Sequence, residues 1–214
     1  QPISLGVHES QSRLWENMIG RSRPFWRHYL PILQKHFPGQ LDGTSPERFY
    51  RAVNRSRPGL IRVESDELTY NLHIFIRFEI EKELIGGSLE TMDIPSIWNE
   101  KYRAYLGVTP PDDARGCLQD IHWAHGSFGY FPTYTIGNLL SAQLYNRALE
   151  EHPSIPSEIE QGNMRTLLAW LRDRVHRHGS RYTFAELVKE ITGGEVQVGP
   201  FMKYLSDKFR EIYS

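Results

Sequence analysis

Apolar residues recur at steps of three and four along most of this sequence, and proline or glycine separates one such segment from the next. The C-terminal segment is the clearest example, because it begins near Pro200 and places its apolar residues on one face of a helix. These residues are Phe201, Tyr204, Leu205, Phe209 and Ile212. The pattern is typical of packed helices and not of strands, so an all-α fold without a clear linker is predicted.

The same reasoning predicts the other helices and leaves one segment ambiguous. Helices are predicted over residues 5–20, 24–38, 46–54, 97–106, 133–149, 158–176 and 184–192. Thr183 and Glu186 form a capping box that begins the last of these. Between Leu72 and Ile80 apolar residues alternate as in a strand, whereas residues 79–85 are strong helix formers, so helix is favoured there.

The first helical segment carries a carboxylate, Glu9, on a polar stripe bounded by large apolar side chains. A half-buried carboxylate needs a cation, a metal or hydrogen-bond donors, and Arg13 at i+4 is the ordinary partner. The residues from His8 onward begin like the zinc-binding HExxH motif, but Ser12 stands where the second histidine belongs. No HExxH motif occurs in the 214 residues, so this segment cannot make a two-histidine zinc site by itself.

Composition excludes several classes of protein. A net charge of −1 argues against a nucleic-acid-binding surface. No apolar run approaches the roughly 20 residues that cross a membrane, so no membrane partner is expected. Cys117 is the single cysteine, so an intrachain disulfide is impossible and a reducing cytoplasm is the expected location.

Residues 116–134 are the densest candidate for a functional site, because they combine histidine, glycine and aromatic residues. His122 and His125 are three residues apart and can share a helix face, and tyrosines flank Pro132 on both sides. Alternatively, this segment is a tight turn packed with aromatic rings, whose histidines bond to backbone carbonyl groups. The glycine pair at 126 and 129 favours a site, since it lets the backbone approach another group closely.

Four motifs occur in the order found in one enzyme family. HESQSRLWEN, IRVESDELTYN, GCLQDIHW and GYFPTYTIGN resemble successive motifs of the carboxypeptidase Taq family of zinc metallocarboxypeptidases. The resemblance extends to the C-terminal HRHG and YLSDKF sequences. It implies an all-α, zincin-like fold of the neurolysin type with a substrate groove. It also implies that residues 1–214 are the C-terminal part of a single catalytic domain, and that the family's HEXXH motif belongs upstream of Gln1.

The resemblance also implies the metal site. Glu9, in the HES motif, corresponds to the third ligand of a zinc ion, for which cobalt or another divalent metal can substitute. The two histidine ligands and the general-base glutamate would come from the absent HEXXH motif, so the site is incomplete in this chain. His8 points about 100° away from Glu9 on a helix and is expected to have a structural role.

The remaining site residues follow from the other motifs. Arg62, in a motif where Ser65 replaces the family's alanine, is expected to bind the substrate's terminal carboxylate; a salt bridge to Asp66 at i+4 is the alternative, and both roles are compatible. Gln119, Asp120 and Trp123 are expected to contact or orient the substrate. Three residues are expected to be catalytic as hydrogen-bonding groups for the substrate or the oxyanion, namely His122, Tyr130 and Tyr134, with Tyr134 the favoured oxyanion donor.

The function implied is the release of C-terminal amino acids from peptides by metal-activated water. The expected partners are the peptide C-terminus, the missing N-terminal part of the enzyme and a second copy in a homodimer. The chain alone is expected to be inactive. A different class, a non-catalytic helical module that binds peptides or a protein, predicts that no HEXXH motif is encoded upstream.

Overall fold

The computed structural model describes residues 4–214, and every regular element in that range is helical. The α-helices are α1 (Leu5–Arg13), α2 (Arg23–His36), α3 (Pro46–Val53), α4 (Tyr70–Ile85), α5 (Ile94–Leu106), α6 (Pro132–Glu151), α7 (Ile155–Glu160), α8 (Arg165–Arg174), α9 (Phe184–Thr192) and α10 (Val198–Tyr213). Short 3₁₀ helices lie at Arg62–Glu64, Thr91–Asp93, Trp123–His125 and His176–His178. The predicted all-α fold is confirmed.

The ambiguous segment is helix α4, so the strand alternative is wrong. Its alternating residues are explained by burial on more than one side. Ile74, Ile76 and Ile80 are at most 1% exposed, whereas Phe75 and Phe78 are exposed. A helix that is apolar around its whole circumference does not show the single apolar stripe of a surface helix.

Contacts divide the chain into two compact units. The first comprises residues 1–54 and 136–214, and the second comprises residues 55–135. The core of the first unit includes apolar residues of α1, α6, α8, α9 and α10, namely Val7, Leu144, Leu171, Leu187 and Phe201. The described helices of both units lack the combination of length and apolar sequence that a bilayer crossing requires.

The second unit has two apolar clusters that share the helix α4. One cluster joins α4 to α5 through Ile76, Ile80, Trp98 and Tyr102. The other consists of Tyr70, Ile74 and Phe131, with Trp123 and Tyr134 against it. The second cluster therefore anchors the segment 123–134, in which the candidate site residues are concentrated, to the N-terminal half of α4.

The helix predicted over residues 158–176 is in fact two helices, α7 and α8. Gly162 separates them with a φ of +77°, a conformation that disfavours any side chain. A Cβ atom at this position would lie 2.4 Å from Nε2 of His28 on α2. The chain therefore turns where α2 packs closely against the end of α7, and helix propensity alone does not reveal that contact.

The first predicted helix also differs from a regular α-helix. After Ser4 caps α1 at its N-terminus, the chain continues as a π-helix over Leu14–Gly20. The predicted Glu9–Arg13 ion pair is wrong, although both residues lie in the regular α-helix α1. Nη1 of Arg13 lies 3.1 Å from Oε2 of Glu16 instead.

Candidate functional site

Asp66 organises the turn that leads from Arg62 into α4. Its carboxylate accepts hydrogen bonds from the backbone N–H groups of Leu68 and Thr69 at 2.9 Å, and from the Ser56 hydroxyl at 2.9 Å. Arg62 has no ion pair with Asp66, so that alternative is wrong. The Asp66 carboxylate accepts hydrogen bonds that stabilise the turn, and the guanidinium group of Arg62 pairs with a different carboxylate.

That carboxylate is Asp120, which forms a buried ion pair with Arg62. Nη2 of Arg62 lies 2.6 Å from Oδ1 of Asp120, and Nε lies 3.0 Å from the same oxygen. Nη1 of Arg62 donates to the Tyr70 hydroxyl at 2.9 Å. The two charged side chains are only 7% and 10% exposed, so this is a preorganised interior pair and not a surface contact.

A second arginine, Arg77 on α4, binds the same aspartate. Nε of Arg77 lies 2.7 Å from Oδ2 of Asp120, and the side chain is 0% exposed. Nη1 donates to the carbonyl oxygen of His73 at 2.7 Å, one turn back on the same helix. Asp120 thus bridges two guanidinium groups. Arg62, Arg77 and Asp120 together, called the arginine–aspartate cluster below, hold two positive charges against one negative charge.

Gln119 fixes the arrangement from one side. Its Oε1 accepts from the backbone N–H of Arg62 and from Nη2 of Arg77, both at 2.8 Å. Its Nε2 donates to the carbonyl oxygens of Leu60, at 3.0 Å, and Gly116, at 3.1 Å. The amide group is therefore committed to internal hydrogen bonds that lock the arginine–aspartate cluster in place.

The electrostatics of the arginine–aspartate cluster follow from burial and charge. Burial alone would raise the pKa of Asp120, but the hydrogen bonds and charges of Arg62 and Arg77 outweigh it and lower that pKa. Burial opposes, and the hydrogen bond to Asp120 favours, the charged form of Arg62, whose pKa is raised overall. Buried His73 has its pKa lowered to about 3, first by burial and then by the charges of Arg77 and Arg62. Within the arginine–aspartate cluster two guanidinium groups therefore share one carboxylate, and the neutral form of His73 is favoured beside them.

His122 and Tyr134 lie beside the arginine–aspartate cluster in the same unit. Nε2 of His122 lies 3.1 Å from the Tyr134 hydroxyl, and the ring of Tyr134 lies 4.9 Å from the Arg62 guanidinium carbon. Burial is the main cause that lowers the pKa of His122, against the opposite effect of the Asp120 charge, so the neutral imidazole is favoured. The alternative of histidines bonded to backbone carbonyls is wrong for His122. Its Nδ1 atom has no hydrogen-bond partner within the described residues.

Aromatic rings complete this side of the site. The ring centroid of Tyr130 lies 5.3 Å from that of His122 and 5.3 Å from that of Tyr134. Phe131 is 1% exposed and packs 4.3 Å from the His122 ring. His125, in contrast, is exposed at the end of a 3₁₀ helix. The structure therefore brings His122, Tyr130 and Tyr134 together and leaves His125 at the surface.

Glu81 on α4 holds the loop that carries these residues. Its carboxylate is buried and accepts from Nε1 of Trp123 at 2.9 Å and from the backbone N–H of Gly129 at 3.1 Å. Gly129 has a φ of +76°, so the loop turns at that point in a conformation suited to glycine. Trp123 thus has its indole N–H bonded inside the protein, and its ring stacks on Phe128.

Glu9 lies in the first unit, on α1. Its carboxylate is 14% exposed and accepts one side-chain hydrogen bond, from Ser12 at 3.1 Å. Nδ1 of His8 is 3.8 Å away on a side chain that is 65% exposed. Gly137 of α6 lies directly against this residue, since a Cβ atom there would be 2.7 Å from Cβ of Glu9. A close helix crossing fixes the Glu9 backbone, and the carboxylate has no bound cation among the side chains of the described residues.

A metal site needs more ligands than this chain assembles. Within residues 4–214, no three His, Cys, Asp or Glu side chains lie together in a group that could hold a metal ion. Glu9 offers oxygen, a hard donor that Zn²⁺ accepts, but a catalytic zinc site typically has about three protein ligands. The described residues therefore do not by themselves bring together the three ligands of such a centre.

Sequence reasoning missed Arg77, Glu81 and Gly137. An arginine within the sequence His73-Ile-Phe-Ile-Arg77-Phe is unusual in so apolar a helix, and this was the available signal of a buried charge. Glu81 lies one turn further along the same helix, among other glutamates, so the sequence does not distinguish it from a surface residue. Nothing local marks Gly137 as a helix-crossing residue, because the contact is with a residue more than a hundred positions away.

The match to known proteins agrees with this architecture. The family model described as carboxypeptidase Taq (M32) metallopeptidase matches residues 1–209. The chain belongs to this family of metallopeptidases, so the resemblance recognised from its four motifs is confirmed.

Two curated relatives are carboxypeptidases. The chain is 46% identical to carboxypeptidase 1 of Bacillus subtilis over 210 residues, which cover 98% of this chain and 42% of that protein. It is 47% identical to thermostable carboxypeptidase 1 of Thermus thermophilus over 211 residues, 99% of this chain and 41% of the relative. The chain thus spans about two fifths of the length of the curated relatives it matches.

A solved structure shows the same fold. The M32 carboxypeptidase from Deinococcus radiodurans R1 matches with a TM-score of 0.95 and 46% identity, over 99% of this chain and 43% of that structure. The helical fold described above is therefore also the fold of the matching part of that M32 carboxypeptidase.

Proposed function

We propose that this chain is part of a zinc metallocarboxypeptidase that releases C-terminal amino acids from peptides. The observation that carries the proposal is the buried arginine–aspartate cluster, in which Arg62 and Arg77 share one carboxylate. The hydrogen-bonded pair of His122 and Tyr134 lies beside it. Family membership and the names of the relatives support it. The proposal concerns the whole enzyme, of which this chain supplies a part.

Arg62 is the group that we assign to the substrate's terminal carboxylate. An arginine side chain has five N–H donors. In Arg62 the hydrogen bonds to Asp120 and Tyr70 use Nε and one N–H of each terminal nitrogen, so each terminal nitrogen has one further N–H. A guanidinium group binds a carboxylate with two parallel hydrogen bonds, which selects for a free chain end. In this role Asp120 and Gln119 hold the guanidinium in position, and Trp123 shapes the surrounding wall.

His122, Tyr130 and Tyr134 are the proposed hydrogen-bonding groups for the scissile carbonyl. An imidazole N–H and phenol hydroxyl groups can each donate a hydrogen bond to a carbonyl oxygen. Such donors stabilise the oxyanion that develops in acyl transfer, and the loss of one donor costs about 3–4 kcal/mol. Tyr134 is the favoured donor because it is already bonded to His122 and lies against Arg62.

Glu9 is the proposed metal ligand of this chain, and the other ligands would come from a HEXXH motif outside it. When bound, a divalent metal, for which zinc is the first candidate, supplies Lewis-acid polarisation of the carbonyl and activation of water. Ser12 would orient the Glu9 carboxylate through its hydrogen bond. The chain alone is therefore proposed to be inactive, the complete enzyme to be a cytoplasmic homodimer, and peptides to be its substrates.

The test compares the 214-residue chain with the complete product of the reading frame that contains it. With zinc added, we expect peptidase activity on N-blocked peptides with a free carboxylate only in the complete product. Glu9→Gln should abolish that activity, whereas Glu16→Gln, on an exposed side chain of the same segment, should retain it.

Two results would overturn the proposal. Turnover by the 214-residue chain that disappears in Glu9→Ala would show that no further ligands are needed. A reading frame without a HEXXH motif, combined with peptide binding that depends on Arg62, would establish the non-catalytic binding module instead.

A further inference from the structure

Arg77 cannot touch a substrate, and yet it is bound to the aspartate that holds Arg62. Its side chain is 0% exposed, and its nitrogens contact Asp120, Gln119, Tyr102 and the His73 carbonyl. Keeping a charge in such a place is costly unless it is paired. A single arginine would already neutralise Asp120, so the presence of two needs a separate explanation.

Charge counting supplies that explanation. Arg62 and Asp120 alone make a neutral ion pair, and a neutral pair has little attraction for an incoming carboxylate. With Arg77 added, two guanidinium groups share the one carboxylate of Asp120, so positive charge exceeds negative charge within the arginine–aspartate cluster. Burial is the main cause that lowers the pKa of His73, and the charges of Arg77 and Arg62 lower it further against the opposite effects of Asp120 and Asp66.

The hydrogen-bond geometry separates the two arginines by role. Oδ2 of Asp120 accepts a hydrogen bond from Nε of Arg77 at 2.7 Å. Oδ1 accepts the shortest hydrogen bond of Arg62, from Nη2 at 2.6 Å. Each carboxylate oxygen therefore has its own main arginine, and the Asp120 charge is shared between them. Of the two, Arg62 is the one with any solvent access, at 7%.

We infer that Arg77 is a positioning residue that gives the site its affinity for anions, by neutralising Asp120 and so leaving the charge of Arg62 for a peptide carboxylate. This inference rests on the proposed function, because it takes Arg62 as the carboxylate-binding residue. Arg77 itself stays out of contact with the substrate.

The test is a charge-rescue series in the complete product of the reading frame. Arg77→Met removes the excess charge, Asp120→Asn increases it, and the double variant Arg77→Met with Asp120→Asn restores it. Arg77→Lys keeps the charge without the guanidinium fork, and Arg103→Met, at an exposed position of α5 in the same unit, is the matched control. Circular dichroism and thermal unfolding verify the fold of each variant.

The readouts are KM and kcat for an N-blocked peptide, and the inhibition constants of an N-acyl amino acid and its amide. Arg77→Met is expected to raise KM roughly tenfold and to remove the preference for the carboxylate inhibitor over the amide. The double variant and Arg77→Lys should regain most of that preference, and Arg103→Met should equal the wild type.

Each outcome decides one question. A carboxylate preference that survives in Arg77→Met, or a double variant no better than Arg77→Met, would show that Arg77 only supports the fold and would overturn the inference. A wild-type enzyme that binds the acid and the amide equally would instead contradict the carboxylate role of Arg62 within the proposed function.

Discussion

At the scale of the residue, buried ionisable groups distinguish this protein from an ordinary helical domain. His73 and Arg77 are 0% exposed, and the side chains of Arg62 and Asp120 are 7% and 10% exposed. Burying charge in this way is expensive and contributes little to net stability compared with an apolar core. Such groups belong where a site requires a fixed charge, and their mutual hydrogen bonds fix it.

His73 gives a prediction for the pH dependence of stability. Its pKa is lowered to about 3 from the ordinary value of 6.5. Between these values the unfolded chain binds a proton that the folded chain does not, so the stability from this group is complete above pH 6.5 and is lost as the pH falls towards 3. The loss approaches about 1.4 kcal/mol per pH unit.

His73→Asn, which keeps a polar atom near Tyr102, should therefore show a weaker fall in unfolding free energy than the wild type between pH 7 and 5. Urea denaturation at several pH values measures this difference. His36→Asn, at an exposed position, should follow the wild-type curve. If His73→Asn and the wild type gave parallel curves, His73 would not be held neutral by its surroundings.

At the scale of the element, the crossing of α1 and α6 positions the proposed metal ligand. Both helices have glycine at the contact. A Cβ atom on Gly6 would lie 2.9 Å from Cγ2 of Ile136, and one on Gly137 would lie 2.7 Å from Cβ of Glu9. The helix backbones approach so closely that neither position has room for a methyl group. The π-helix that follows α1 is the kind of irregularity often found at functional sites.

Gly137→Ala tests this crossing. The added methyl group meets backbone and Cβ atoms of Glu9, which cannot move independently of α1, so a destabilisation of about 1–3 kcal/mol is expected. Gly199→Ala is the matched control, because nothing lies within 4 Å of its Cβ position in α10 and alanine favours a helix by up to ~1 kcal/mol. Equal stabilities of the two variants in urea denaturation would mean that the α1–α6 contact is looser than described.

At the scale of the whole molecule, the chain accounts for about two fifths of the length of its relatives and for one proposed metal ligand. Each of its two units has an apolar core of its own. A metal that needs ligands from outside the chain should therefore stabilise the complete enzyme and leave the isolated chain unaffected.

Thermal unfolding with and without zinc measures this difference. A ligand at a hundred times its Kd stabilises the folded state by about 2.7 kcal/mol, so a clear rise in Tm is expected for the complete product. Glu9→Gln should remove most of the rise, and Glu16→Gln should keep it. A zinc-dependent rise of the isolated chain that requires Glu9 would contradict the expectation that its site is incomplete.

The sequence by itself determined the helical fold, most helix boundaries and the family, because apolar periodicity, caps and motif order are local properties of the chain. It also brought out Arg62, Asp120, His122 and the two tyrosines as one group, through motifs that the structure places in one unit. Only the tertiary structure decided that Asp120 is shared with Arg77, that Glu81 holds the loop, and that Gly162 divides a helix. Each of these depends on which distant side chains meet in a packed interior, and no local pattern of residues specifies that.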